Sequence, residues 1–199
     1  MKEVTMSNLL KIAAIDPSLR NFGLARGTID MSDETLPVVV EHITLVSTET
    51  DKSARKVVRR NSEDLARARK LFRGAREYIK DASIVFVEVP VGSQSARAMA
   101  SYGVCIGLLA ALSDKPLIEV TPTEVKLAAV GSKTASKQEM ISWASDLYPH
   151  LNWIKSRGKS ELADKNEHIA DAIGAIHAGI LTDEFARLVA AVRLRQSAA

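Results

Sequence analysis

Apolar and polar positions along this 199-residue chain predict strands first and helices later. Leu9 to Ile15 is a short apolar run closed by Asp16-Pro17-Ser18, which predicts a buried strand and a turn. Asn21 to Arg26 alternates before Gly27 and predicts the second strand of a hairpin. Val38 to Val46 is β-branched and apolar, a third strand. Behind Ser62, a suitable N-cap, Leu65, Ala68, Leu71, Phe72, Ala75, Tyr78 and Ile79 recur at helical spacing. Ile84 to Val89 predicts a compact strand that contains one acid, Glu88. Gln94 to Leu112 reads as a long helix rich in Ala and Gly, and Leu117 to Val120 as another strand. Helices are expected over Lys137 to Leu147, Glu167 to Leu181 and Glu184 to Arg195, with a polar loop over residues 149 to 166. Ile169, Ala172, Ile173, Ile176 and Ile180 mark the buried face of the Glu167 helix.

The order is three strands, helix, strand, helix, strand, then helices. The β-α-β-α-β portion favours a parallel half-sheet and the leading hairpin an antiparallel edge. A mixed five-stranded α/β sheet with helices on both faces follows. Length predicts one domain, taken as residues 1–182, with a helical tail over 183–199.

Composition narrows the class. With 46% hydrophobic residues the chain can bury a proper core without staples. One cysteine forms no intrachain disulfide and no cysteine-type zinc site, which favours a reducing compartment. Aromatic residues are only 5%, which argues against a single-strand binder built on stacking platforms. The longest apolar run, Val104 to Leu112, is about half the length of a membrane span, and Met1 to Asn8 does not read as a signal peptide. A cytoplasmic protein is expected.

The net charge of +3 hides a sharp division. An acidic connection carries Asp30, Asp33 and Glu34. Lys52 to Lys80 then holds eleven Lys/Arg against three acids, a net +8 in 29 residues. Arg55, Lys56, Arg59 and Arg60 lie before the amphipathic helix, and Arg67, Lys70 and Arg73 lie on it. Such a band suits nucleic-acid phosphates, and equally suits the solvated face of a helix.

Three carboxylates stand where burial makes charge costly. Asp16 follows a buried strand, although Asp before Pro also opens turns. Glu88 sits within Ile84-Val85-Phe86-Val87-Glu88-Val89, at a strand end that either reaches solvent or joins a site. Asp171 lies among Ile169, Ala170, Ala172 and Ile173, one helical turn from Glu167 and His168. Two strand-end acids with one or two helix-borne partners suit a pair of divalent cations held through oxygen, the arrangement used for phosphodiester hydrolysis. His168 is a candidate ligand or water-positioning group.

Taken in order, Ile12-Ala13-Ala14-Ile15-Asp16-Pro17-Ser18, Phe22-Gly23-Leu24-Ala25, Phe86-Val87-Glu88 and His168-Ile169-Ala170-Asp171-Ala172 resemble the RuvC family of Holliday junction resolvases. Residues 10 to 182 carry the resemblance, which includes Thr121-Pro122-Thr123-Glu124-Val125-Lys126, Val130-Gly131-Ser132 and a helix opened by Lys137. It implies an RNase H-like fold and a metal-binding catalytic set of Asp16, Glu88, His168 and Asp171. Lys126 and Lys137 match two basic residues used near the scissile phosphate. The implied cofactor is Mg²⁺, with Mn²⁺ as substitute and two ions bound. The implied partners are four-way junctions or other branched DNA and a second copy of the chain.

The sequence also departs from that family. Val89-Pro90-Val91-Gly92 stands where cellular relatives often carry an aromatic wedge, and the basic Lys52–Arg60 loop and the tail beyond Asp183 read as additions. These differences suggest a divergent, phage-type relative. The Gln94 helix is a candidate for the dimer face, and close packing on the sheet explains its small residues equally well. Two other readings stand beside the nuclease. An ATPase or kinase of the same fold class would bind nucleotide, and a non-cleaving scaffold would have no use for acids beside phosphate.

Overall fold

The computed structural model describes residues 8–48, 60–112 and 114–197, with the backbone alone for 60, 61 and 195–197. Five strands form one sheet in the order β3-β2-β1-β4-β5. β1 (Leu9–Pro17) and β2 (Asn21–Asp30) are antiparallel, as are β2 and β3 (Val38–Ser47). β4 (Ile84–Glu88) runs parallel to β1, and β5 (Leu117–Val120) parallel to β4. The mixed sheet expected from the chain pattern is therefore present.

The two faces bury different residues of the same strands. Ala13, Ile15, Leu24, Val85 and Val87 point to one core, closed by α1 (Arg60–Ile79) and α2 (Ala96–Ala110). Ile12, Ala14, Phe86 and Ile118 point to a larger core. Burial on both sides explains why β1 and β4 read as apolar runs rather than alternating strands.

The larger core holds α5 (Glu167–Gly179), with α3 (Pro122–Val130), α4 (Lys137–Leu147) and α6 (Asp183–Ser197) around it. α5 is buried well beyond one stripe, because the sheet covers one side and α3 and α4 the other. The helix expected over Glu184 to Arg195 is α6. Phe185 of α6 is fully buried, its ring 5.5 Å from that of Phe86.

Two local features depart from the sequence pattern. α3 falls where no helix is expected. It starts from a capping box in which Thr121 and Glu124 satisfy each other's backbone amides, and Gly131 at φ 77° ends it. The expected 149–166 loop is tied down by a residue the pattern does not mark. Fully buried Asn166 donates to the Ile154 and Ala163 carbonyls and accepts from the Ile154 amide, pinning the loop to the start of α5.

Candidate active site

Register brings the strand acids together. β1 and β4 pair in parallel through Ile15 and Val87, so Asp16 and Glu88 are the next residues on adjacent strands. Asp16 stays within the β1 ladder opposite Gly23, and Pro17 still pairs with Phe22 before the turn begins at Ser18. By alternation both acids share the face of Ala14 and Phe86, the face that α5 covers. Neighbouring strands lie about 4.8 Å apart, so the two carboxylates are forced close.

The first turns of α5 supply the facing groups. His168 Nδ1 lies 2.5 Å from Asp16 Oδ2, and His168 Nε2 lies 3.7 Å from Glu167 Oε1. Glu167 Oε2 pairs in turn with Lys137 Nζ at the start of α4. Gly23 makes this approach possible. A Cβ there would stand 1.8 Å from the His168 carbonyl oxygen, a backbone atom that cannot swing away.

The electrostatics are those of acids crowded together. Burial, then the charges of Asp16 and Asp171, push Glu88 up to about 9, against a small opposing pull from Lys126. Burial and Asp16 push Asp171 up to about 7, with His168 and Lys126 opposing. Burial pulls His168 down, but the Asp16 hydrogen bond and the charges of Asp16, Glu167 and Asp171 outweigh it, and the net shift is upward. Lys126, half-buried on α3, is the lysine acting on both Glu88 and Asp171.

Among the described residues, no three His, Cys, Asp or Glu side chains close on a point as a finished metal shell. One Asp16 oxygen is engaged by His168 and one Glu167 oxygen by Lys137. The donor chemistry nevertheless fits a hard divalent cation, since three half-buried or buried acids share a corner that bound positive charge would relieve.

The other candidates scatter. Lys137 is 71% exposed despite its ion pair. Arg67 is turned back onto Glu63, while Lys70 and Arg73 are exposed on α1. Arg55, Lys56 and Arg59 lie outside the described residues, as does the side chain of Arg60. Val91 stands 55% exposed just beyond β4. Asn166 carries no signal in the sequence for its role, since its side chain does not cap α5 but bonds Ile154 and Ala163. The sequence places Glu167 on the face of Asp171 and leaves open whether it joins the metal site; its pairing with Lys137, 30 residues away, is not legible there.

A five-stranded mixed sheet of this order, with α5 across one face, is the RNase H-like fold. Within it the fold is that of RuvC. Thermus thermophilus RuvC in complex with a Holliday junction substrate superposes with a TM-score of 0.57 at 18% identity, over 85% of this chain and 92% of that one. A second Thermus thermophilus RuvC structure gives 0.56 at 19%, with the same coverage. A fowlpox virus resolvase in complex with Holliday junction DNA gives 0.44 at 16%, over 86% and 95%. No protein-family model matches the sequence, and no curated protein does.

Proposed function

We infer that this chain is a divalent-metal-dependent, structure-selective endonuclease that resolves four-way or other branched DNA junctions by paired phosphodiester hydrolysis. The observation that carries this reading is the pairing of Asp16 and Glu88 on adjacent strand ends beneath His168 and Asp171. Asp16, Glu88 and Asp171, with His168 beside them, would hold Mg²⁺ or Mn²⁺, two ions in all. Bound there, the ions supply water activation and charge stabilisation at the phosphodiester.

The chain's own groups have distinct tasks in this reading. His168 fixes the Asp16 carboxylate by its short hydrogen bond. Lys126 and Lys137 stabilise phosphate charge at the rim. Arg55, Lys56, Arg59, Arg60, Lys70 and Arg73 bind backbone phosphates without reading bases, which suits selection by shape. Arg67, already paired with Glu63, contributes less than the sequence pattern suggests.

Two nicks across a junction call for a symmetric dimer. α2 offers a face for it. Met99 and Ile106 are exposed, and Gly103 and Gly107 have open space where a side chain would stand. The cytoplasm suits such a DNA-processing enzyme, and among the described residues no helix is long and apolar enough to cross a membrane.

The test is cleavage of a four-way junction beside a linear duplex, with Mg²⁺, with Mn²⁺ and with EDTA. Junction cleavage that requires metal is expected, and Asp16→Asn should abolish it while leaving junction binding largely intact. Equal cutting of both substrates would reduce the protein to a general nuclease. Undiminished cleavage by Asp16→Asn would remove the site.

A further inference from the structure

At the far end of the sheet from Asp16, a cleft of about 350 Å³ opens where the C-terminus of α1 overhangs β1, β2 and β3. Lys11 lies five residues before Asp16 on β1, about 17 Å away along an extended strand. The cleft is therefore separate from the acidic corner. Its size falls within the range of small-molecule sites.

The sheet face explains its chemistry. Along β2, Phe22 and Leu24 point to the α1 side and are covered. Arg26 is the next residue on that side. It stands opposite Ala13, while Lys11 stands opposite Thr28, so Arg26 and Lys11 are diagonal neighbours on one face. Two cations so placed repel each other. Among the described residues neither is within ion-pair distance of an acid.

Arg26 is also held in place. Its guanidinium carbon lies 5.2 Å from the centre of the Tyr78 ring, and Tyr78 donates a 2.7 Å hydrogen bond to the His42 carbonyl. A planar guanidinium stacked on an aromatic ring keeps its edge donors for an oxyanion. A β-bulge sits beside it. Arg26 pairs with His42 and Gly27 with Val40, leaving Glu41 as the extra residue at the cleft wall. Glu41 and Asp81 flank the two central cations from opposite sides of the sheet order, and neither pairs with them.

The geometry points to a second binding site, in which a phosphate group seats between Lys11 and Arg26 and the acids at the flanks take hydrogen-bond donors from the rest of the ligand. Free phosphate satisfies the centre alone. A nucleotide-sized phosphomonoester satisfies the flanks as well. The site is independent of the nuclease reading.

The test is equilibrium dialysis in EDTA with inorganic phosphate and, separately, 2′-deoxyadenosine monophosphate. Saturable one-to-one binding is expected, weakened at least tenfold by Lys11→Gln and by Arg26→Gln and unchanged by Asp16→Asn. Lys11 is exposed, so its variant keeps the result interpretable if Arg26→Gln fails to fold. Tighter binding of the nucleotide assigns an organic phosphomonoester, and equal or tighter binding of phosphate assigns the free ion; both uphold the site. Absence of saturable binding, or parental affinity retained in both cleft variants, overturns it. So does loss of binding in Asp16→Asn. Displacement of bound phosphate by linear duplex at matched phosphate concentration would assign the cleft to DNA backbone and overturn the small-ligand site.

Discussion

Burial and its neighbours hold the Glu88 carboxyl at about 9, against 4.5 for an ordinary glutamate. Between those values the unfolded chain has released a proton that the folded chain retains. Stability from this group is therefore full below about pH 4.5 and is lost as pH rises through 9. Asp171, raised from 3.8 to about 7, acts in the same direction over a lower window. In EDTA the melting temperature should fall from pH 6 to pH 9, and Mg²⁺ should restore more of it at pH 9. Glu88→Gln removes the charge while keeping the shape. It should raise the Tm in EDTA at pH 8 by about 2–6 °C, at 2–4 °C per kcal/mol for a chain of this size, and should blunt the response to Mg²⁺. A lower Tm would mean that the carboxylate is compensated in the folded state.

At the scale of elements, the docking of α5 on β2 is the decisive contact. Gly23 leaves no side chain between β2 and the His168 carbonyl. Gly23→Ala should cost about 1–3 kcal/mol by overpacking and, in the proposed function, lower cleavage further than the reduced folded population explains, because His168 and Asp171 would shift from Asp16. Gly92→Ala, with open space around it, should stay within about 0.5 kcal/mol of the parent in denaturant titration.

The same docking shows where sequence reading reaches and where it stops. Strands β1 to β5 were legible because runs such as Ile84 to Val87 are too short for helices and end in turn residues. The three acids were legible because charge inside an apolar run is conspicuous. α3 was not, since its apolar stripe is weak and its start depends on the Thr121–Glu124 capping geometry. The Glu167–Lys137 pair and the Asn166 clamp were not, because both depend on groups distant in sequence.

Among the described residues the exposed cations of α1 and the acidic corner lie on opposite sides of the sheet. α1 shows Lys70 and Arg73 to solvent on one side of the sheet, while the acids lie toward α5 on the other. In the proposed function the basic band meets DNA from outside. Replacing Arg55, Lys56, Arg59 and Arg60 by Gln should weaken junction binding and lower the slope of log K against log salt by about 0.9 for each phosphate no longer neutralised. An unchanged slope, read from binding isotherms at several salt concentrations, would take this stretch off the DNA.

The two cores are unequal, and α1 and α2 rest on the smaller. Local unfolding follows such differences, and the layer supported by fewer buried side chains opens at lower free energy. The acids of β1, β4 and α5 lie on the face of the larger core. In the proposed function, α1 and α2 would then be the layer free to yield to a branched substrate while α5 keeps His168 and Asp171 over Asp16.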